Sequence, residues 1–281
     1  MKRKGKRWLL VAAAVCLLMG TYLYWQNQGL MYGHVTVESG RLPEELEGFR
    51  IVQLSDLHNA QFGEGNSRLL RMVESLAPDL IAVTGDMVDS RRTDGDVAVA
   101  LAEQLSGLAP VYYVPGNHES RLDGYEELEA RLAAAGAVIL EDRTVAVEKD
   151  GGKFTLLGLT DPAFFREGGG TPQGVELRLR ALMETAGEYT VLLSHRPELF
   201  EIYRRCGVDL TLSGHAHGGQ IRLPVLGGVI APNQGFFPEY DAGCNEEGGS
   251  VLVVSRGLGN SLFPFRVNNR PELVLIELEK T

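Results

Sequence analysis

The chain has 281 residues, of which 44% are hydrophobic and 23% charged, a composition typical of one large globular domain or two small ones. Its formal net charge is −10, and because five basic residues lie within the first seven positions, the remainder carries −15. Such an acidic body repels polyanions, so the sequence disfavours nucleic acid as a partner. Three cysteines without CxxC spacing exclude a disulfide framework; we interpret Cys206 and Cys244 as free thiols, with a single bridge in an oxidising compartment as the alternative.

The N-terminus begins with a basic cluster and continues as an apolar run. Trp8 to Trp25 comprises 18 residues without a charge, which as a helix would measure about 27 Å, close to the thickness of a bilayer core. We predict a cytoplasmic basic tail at residues 1–7 and a transmembrane anchor at 8–25, which would place the rest of the chain on the extracytoplasmic side of the cell membrane. A cleaved signal peptide is the alternative, although no small-x-small site follows the apolar run.

The segment after the anchor, residues 26–48, is predicted to be a linker, because "GRLPEELEG" has the glycine, proline and acidic residues of a loop. Residues 49–281 show no break that would separate a second folded domain. Short apolar runs alternate three times with helical patterns: FRIVQLSD, LIAVTGD and VYYVPGNHE read as strands, and SRLLRMVESLAP, DVAVALAEQLSGL and YEELEARLAAAG as helices. This alternation predicts an α/β domain with largely parallel strands.

Further strand-like runs follow in the second half of the chain. They alternate less regularly with helices, so we expect more than one sheet, with mixed pairing. The runs lie at 153–159, 189–194, 208–213, 250–255 and 272–278.

The apolar strands end in side chains that can bind metals. These are Asp56, His58, Asp86, Asn117, His118, His195, His215 and His217. Five of the six histidines lie at such strand ends, and only His34 does not. Because ligands bind at the carboxyl ends of strands in open α/β sheets, the sequence predicts a site at this edge.

The type and number of these side chains favour two divalent ions. Eight candidates exceed what one four-coordinate zinc requires, and no cysteine is among them. Imidazole, carboxylate and amide ligands together suit manganese, iron or zinc. Two such ions about 3.5–4 Å apart can hold the attacking and leaving oxygens of a phosphoryl transfer and activate a water for attack on phosphorus.

The ordered set of motifs resembles the calcineurin-like metallophosphoesterases. The motifs are Asp56-x-His58, Gly85-Asp86, Gly116-Asn117-His118-Glu119, His195 and Gly214-His215-x-His217. The resemblance implies two mixed β-sheets sandwiched between helices and a dinuclear metal centre that hydrolyses phosphoesters. It further implies that "HGGQIRLP" and "GLGNSLFPFRVNNRPEL" belong to a bacterial membrane- or wall-associated branch, which includes enzymes similar to UDP-2,3-diacylglucosamine pyrophosphatases.

The resemblance also implies a role for each site residue. The first metal would be held by Asp56, His58 and His217. The second would be held by Asn117, His195 and His215, and Asp86 would bridge the two ions. His118 would be the catalytic residue, a general acid that protonates the leaving oxygen.

The spacing of the last two histidines fits this assignment. If His215 and His217 lie one residue apart on one side of an extended backbone, each is expected to reach a different metal. The flanking glycines would let the main chain come close and bend away.

Weaker signals lie outside this set. Of the arginines at 91, 92 and 121, we expect at most one to bind a substrate phosphate. The aromatic pairs at 236–237 and 263–265 are interpreted as core packing of loop ends; a lipid pocket and contact with the bilayer interface are the alternatives.

We hypothesise a metal-dependent phosphoester hydrolase. Its partners would be the membrane and a phosphoester, with a phosphodiester or pyrophosphate of a lipid or cell-envelope precursor as one candidate. A membrane-tethered, non-catalytic metal-binding scaffold of the same fold is the alternative. Since such a scaffold would be expected to have lost ligands or His118, the complete set favours the enzyme.

Overall fold

The computed structural model describes residues 2–260 and 263–281. In that part of the chain the helices are α1 (Lys2–Gln28), α2 (Ser67–Ser75), α3 (Gly95–Ser106), α4 (Tyr125–Ala134), α5 (Pro172–Met183) and α6 (Phe200–Arg205). The longer strands are β1 (Met31–Ser39), β2 (Phe49–Leu54), β3 (Leu80–Thr84), β4 (Val111–Val114), β5 (Ala137–Ile139), β6 (Arg143–Lys149), β7 (Gly152–Leu159), β8 (Thr190–Ser194) and β9 (Leu210–Ser213). Four two-residue strands follow, β10 (Arg222–Leu223), β11 (Gly227–Gly228), β12 (Ile230–Ala231) and β13 (Gly235–Phe236), and then β14 (Gly243–Glu247), β15 (Ser250–Val254) and β16 (Glu272–Lys280).

Helix α1 joins most of the predicted basic tail and the whole predicted anchor in one element. It is long and apolar enough to cross a membrane. The 18-residue window that meets this criterion is not buried against the rest of the chain. The apolar run is therefore not a core helix of the folded domain.

The first strand corrects the predicted linker at residues 26–48. Strand β1 pairs in parallel with β16 along its whole length, from Met31 opposite Glu272 to Ser39 opposite Lys280. Residues 31–39 are thus part of the folded domain. The prediction failed because β1 is an edge strand, in which only Val37 is buried, and so it lacks the continuous apolar run of a central strand.

Two six-stranded sheets form the centre of the domain. The first has the order β1-β16-β2-β3-β4-β5, with β2 to β5 parallel and β16 antiparallel to β2. The second has the order β14-β15-β9-β8-β7-β6, with β15, β9, β8 and β7 parallel and both edge strands antiparallel. The predicted mixed sheets are confirmed.

The helices cover the outer faces of the two sheets. One core lies between the first sheet and α2, α3 and α4, and another between the second sheet and α5 and α6. The central core lies between the sheets, where Ile51 and Ala82 of the first belong to the same cluster as Val191 and Leu212 of the second. The order is therefore helices, sheet, sheet, helices, and the predicted sandwich is confirmed.

This layering explains why the central strands lack a polar alternation. In β2, Ile51 packs between the sheets while its neighbour Val52 packs under the helices, and both are fully buried. A strand buried on both faces needs apolar residues at successive positions. Most polar side chains are thereby left to the strand ends, where the chain leaves the core.

The cysteines take no part in this framework. Cys16, Cys206 and Cys244 are all free, which agrees with the interpretation of Cys206 and Cys244 as unpaired thiols.

Candidate metal centre

The predicted site residues all lie just beyond the carboxyl ends of central strands. Asp56 and His58 follow β2, Asp86 follows β3, and Asn117 and His118 follow β4. From the second sheet, His195 follows β8, and His215 and His217 follow β9. All eight residues are buried, with exposed fractions between 0% and 7%.

The first cluster comprises Asp56, His58 and His217, whose ligand atoms lie within 4.8 Å of one another. His217 Nε2 is 3.4 Å from Asp56 Oδ1 and 3.3 Å from His58 Nε2. The two rings are stacked, with centroids 5.0 Å apart.

The second cluster comprises Asp86, His195 and His215, again with ligand atoms within 4.8 Å of one another. His195 Nε2 lies 3.3 Å from Asp86 Oδ2, and the rings of His195 and His215 have centroids 4.9 Å apart. His195 Nδ1 lies 2.7 Å from the Thr84 carbonyl oxygen. Since the carbonyl can only accept, Nδ1 carries the proton and Nε2 faces the carboxylate.

Asp86 lies between the two clusters. Its Oδ2 is 3.3 Å from His195 Nε2 in the second cluster and 3.7 Å from His58 Nε2 in the first. Its Oδ1 accepts a 2.8 Å hydrogen bond from the backbone N–H of His118. One carboxylate therefore reaches both clusters, which is the geometry of a bridging ligand.

The backbone at these strand ends is unusual. Five of the predicted metal ligands, Asp56, His58, Asp86, His215 and His217, have φ between 47° and 66°. This left-handed region is uncommon for residues other than glycine, and backbone strain of about 1–3 kcal/mol per residue is found mainly at functional sites. The sequence carried no signal for this feature beyond the adjacent glycines.

One geometric expectation is wrong. His215 and His217 do not lie on an extended backbone, because β9 ends at Ser213 and both residues are left-handed with Ala216 between them in the right-handed helical region. The turn directs His215 towards His195 and His217 towards His58. The two histidines thus approach different clusters, through a turn instead of strand alternation.

Two glycines permit this close approach. A Cβ at Gly214 would collide with the Ser55 hydroxyl and the Asp56 carboxylate, and one at Gly116 would collide with the Asp86 carboxylate. Any side chain at these positions would displace a predicted ligand.

Glu119 connects the loops that follow β3 and β4. Its buried carboxylate accepts hydrogen bonds from the backbone N–H groups of Asp86 (2.9 Å), Gly116 (2.8 Å) and Val88 (3.2 Å). Burial raises the pKa of Glu119 to about 8, although these donors favour its charged form. Glu119 therefore positions the loops of Asp86 and His118.

Electrostatics keep most of the histidines neutral. Burial lowers the pKa of His58 to about 4 and holds those of His215 and His217 well below the ordinary value. Burial disfavours the charged form of the carboxyl as well, which raises the pKa of Asp56 to about 6. Neutral imidazole is the form that binds a metal, so these three histidines are in the form that a metal requires.

His195 differs from the other three. Burial alone would lower its pKa, but the adjacent Asp86 carboxylate raises it to about 10. Burial would raise the pKa of Asp86, and His195 instead holds it well below the ordinary value. A cation that binds this pair has to displace the proton.

The side chains fit a divalent metal centre. Carboxylates, imidazoles and one amide oxygen are the donor set that such ions take in proteins. Asn117 Oδ1 is buried, and within the described residues it has no hydrogen-bond partner. A buried carbonyl oxygen without a partner is costly, and a cation would satisfy it.

Arg196 is a site residue that the sequence analysis missed. Its guanidinium forms a two-pronged ion pair with Asp161, at 2.6 and 2.9 Å, and its Nη1 lies 3.0 Å from His215 Nε2. Both side chains are buried. The only available signal was its position directly after His195, since Asp161 lies far away in the chain.

Two clefts lie beside the first cluster. A polar cleft of about 750 Å³ is lined by His58, Asn59, Asp89, Arg91, Arg92, Asp94, Asn260 and Pro264. An apolar cleft of about 360 Å³ is lined by Ala216, His217, Gln220, Ile221, Ile230, Ala231, Pro232 and Phe263. Each cleft therefore borders the first cluster.

The weaker sequence signals divide between these clefts. Arg91 and Arg92 line the polar cleft, and Arg91 also binds Asp89 at 2.9 Å, whereas Arg121 is exposed and does not line it. The interpretation of the aromatic pairs as core packing is wrong, because Phe236 is 74% exposed and Phe263 is 45% exposed.

Comparisons with known proteins identify the family. Residues 49–219, more than half of the chain, match the family model described as Calcineurin-like phosphoesterase. Phosphodiesterase YaeI of Escherichia coli (strain K12) is 32% identical over 240 residues, which cover 82% of each chain. The Uncharacterized metallophosphoesterase YkuE of Bacillus subtilis (strain 168) is 30% identical over 254 residues, 88% of this chain and 84% of the relative.

Two further comparisons concern the fold and a relative that is named as a transmembrane protein. The crystal structure of TT1561 of Thermus thermophilus aligns with a TM-score of 0.51 at 16% identity, covering 75% of this chain and 90% of the other. A protein from Bos taurus named Transmembrane protein with metallophosphoesterase domain is 30% identical over 87% of this chain and 56% of the relative.

The fold, the buried Asp and His clusters and these relatives agree with one another. The chain belongs to the calcineurin-like phosphoesterase family and is a metal-dependent phosphoester hydrolase.

Proposed function

We propose that the hydrolase uses two divalent ions, manganese, iron or zinc, bridged by Asp86. The first ion would be held by Asp56, His58 and His217, and the second by Asn117, His195 and His215. The observation that carries this proposal is the position of Asp86 Oδ2, 3.3 Å from His195 Nε2 and 3.7 Å from His58 Nε2. When bound, such an ion pair supplies electrophilic stabilisation of the phosphoryl oxygens and an acidified water.

His118 is the proposed general acid. Its Nδ1 accepts a 3.0 Å hydrogen bond from the backbone N–H of Ser90. In the neutral ring the proton is therefore on Nε2. The imidazolium that a general acid requires has a second proton on Nδ1, which lies 3.5 Å from Asp89 Oδ1, and it returns to the neutral ring when Nε2 gives up its proton. The His118 ring packs edge-on against the His58 ring with centroids 4.6 Å apart, so the donor lies beside the first cluster, where a leaving oxygen would accept the proton.

The polar cleft is the proposed substrate site. It combines His58 with Arg91 and Arg92, and guanidinium groups bind phosphate oxygens in pairs of hydrogen bonds. The relative named as a phosphodiesterase favours a diester. The proposed substrate is a phosphodiester or pyrophosphate of a lipid or cell-envelope precursor, with its polar part in this cleft and its apolar part in the apolar cleft.

The proposed location is the extracytoplasmic side of the cell membrane. Helix α1 has the length and hydropathy of a membrane span, and five basic residues lie at its start. Positive flanks remain in the cytoplasm, so the domain would face outward. Fusing alkaline phosphatase after Lys280 gives an active reporter if this orientation is right and an inactive one if the domain is cytoplasmic.

The central experiment measures metal content and hydrolysis on the same sample. The full chain, purified in detergent and reconstituted with Mn²⁺, Fe²⁺ or Zn²⁺, is expected to bind about two ions per chain, as a bridged pair requires, and to hydrolyse bis-p-nitrophenyl phosphate. Chelation should abolish turnover, and re-addition of metal should restore it. A folded, metal-loaded chain without turnover under any metal would instead support a non-catalytic scaffold.

A further inference from the structure

Exposed apolar side chains outside α1 are concentrated in one part of the chain. Of the twelve large apolar residues exposed there in the described structure, eight lie between Leu223 and Phe265. We call these eight the apolar rim: Leu223, Val225, Leu226, Ile230, Phe236, Phe237, Phe263 and Phe265. The other four, Tyr32, Leu108, Val138 and Leu177, are scattered over separate elements.

Hydrogen bonds bring the apolar rim together around the His217 turn. The backbone N–H of Val229 donates to the carbonyls of Gly219 and Ile221, and that of Phe237 donates to Val229. Gln220 Nε2 donates to the carbonyl oxygens of Phe263 (3.2 Å) and Phe265 (2.8 Å). The rim residues therefore lie on adjoining loops, and two of them, Ile230 and Phe263, line the same cleft.

The end of α1 is attached beside this surface. Gln26, only 3% exposed, accepts a 3.0 Å hydrogen bond from the Asn269 backbone N–H. Asn27 Oδ1 accepts from Asn260 Nδ2 at 2.7 Å and from the Arg266 backbone N–H at 3.2 Å. The apolar helix thus leaves the domain next to the loop that carries Phe263 and Phe265.

We propose that the apolar rim is a membrane-contact surface that inserts into the bilayer interface. A helix that spans the bilayer and ends beside the rim brings these side chains to the headgroup level, where aromatic and aliphatic groups insert favourably. The formal charge of −15 outside the basic cluster gives no attraction to anionic lipids, so insertion is apolar. Because the rim adjoins the end of the membrane helix α1, the bilayer, and not a second copy of the chain, is the surface that the rim contacts.

The membrane contact defines how substrate reaches the site. The apolar cleft is lined by His217 of the first cluster and by Ile230 and Phe263 of the rim. Its mouth therefore opens at the bilayer surface, and a phosphoester whose apolar part stays in the leaflet can enter beside the metal centre. This inference rests on the proposed placement of α1 in the bilayer.

The test is photo-crosslinking of the full chain in proteoliposomes of phosphatidylethanolamine and phosphatidylglycerol. p-Benzoylphenylalanine replaces Phe236, Val225, Trp8 or Leu177, one position per sample. Phe236 and Leu177 are matched in exposure, at 74% and 72%, but Leu177 lies on α5, which packs on α6 and β7, and is not part of the rim. Trp8 reports on the anchor, and mass spectrometry identifies the adducts.

We expect lipid adducts at Phe236, Val225 and Trp8 and none above background at Leu177. Adducts at Trp8 alone, equal labelling at Leu177 and Phe236, or rim adducts to a second copy of the chain would each overturn the proposal. So would an absence of adducts at Trp8, which would also remove the anchor. Hydrolysis of bis-p-nitrophenyl phosphate by each sample reports on the catalytic function independently of these results.

Discussion

The imidazoles of the second cluster are positioned by groups outside the cluster, whereas those of the first cluster lie mainly against each other. His195 is fixed by the Thr84 carbonyl, and His215 is contacted by Arg196, itself paired with Asp161. In the first cluster, His58 and His217 are stacked, and within the described residues the Nδ1 atom of each is buried without a hydrogen-bond partner.

This difference shows two ways to position a predicted metal ligand. Side-chain and carbonyl partners orient the imidazoles of the second cluster directly. The first cluster depends on its backbone: Asn269 Nδ2 donates to the His217 carbonyl oxygen at 2.7 Å, and the Asn269 N–H in turn binds Gln26 of α1. We therefore expect substitutions to affect the two clusters separately, except at Asp86.

Asp86→Asn should have the largest effect, since it removes the charge shared by both clusters. We expect loss of both ions and of nearly all hydrolysis, measured by elemental analysis per chain and by turnover of bis-p-nitrophenyl phosphate. Asp96→Asn is the matched control, because Asp96 lies outside both clusters and forms an exposed ion pair with Arg131. A variant at Asp86 that retained both ions would contradict the bridging role.

His118→Asn should leave both clusters intact and slow the chemistry. We expect kcat to fall by about 10²–10⁴ while metal content is unchanged, as for the loss of a general acid. A substrate with a better leaving group, such as a p-nitrophenyl instead of an alkyl ester, should be less affected. Loss of metal from this variant would show that His118 is a ligand.

Arg196→Ala should affect the second cluster and leave the first cluster unchanged. It leaves the buried Asp161 carboxylate unpaired, which typically costs about 3–5 kcal/mol of stability. It also removes the donor that occupies the His215 Nε2 lone pair, so the affinity for the second ion should change while that for the first does not. Urea unfolding and metal titration of the full chain measure these effects. Arg180→Ala, which breaks an exposed pair with Glu176, should change stability by no more than about 1 kcal/mol; equal effects of the two variants would refute a specific role for Arg196.

Asn269→Ala should have the smallest effect and should act on the first cluster. The variant removes buried donors to the carbonyls of His217 and Gln220, for an expected cost of about 1–3 kcal/mol and a weaker affinity for one ion. Asn268→Ala is the neighbouring control, since Asn268 is exposed and binds Tyr22 and Arg222. If both variants bind metal with the affinity of the unaltered chain, the first cluster does not depend on the hydrogen bonds of Asn269.

Local sequence patterns predicted much of the fold. The central strands are apolar on both faces, and the buried positions of α4, Tyr125, Leu128 and Leu132, are those expected from helical periodicity. Strand β1 was missed because an edge strand buries few side chains. The exposure of Phe236 and Phe263 was also missed, since composition alone does not distinguish a buried aromatic residue from an exposed one.

The sequence by itself determined which side chains occupy the carboxyl ends of the central strands, because strand periodicity and short motifs are local. Only the tertiary structure decided how Asp86 lies between His58 and His195, how a left-handed turn separates His215 from His217, and how Arg196 meets Asp161. These contacts join residues that are distant in the chain. Their geometry depends on how the two sheets pack against each other, and no local pattern encodes that packing.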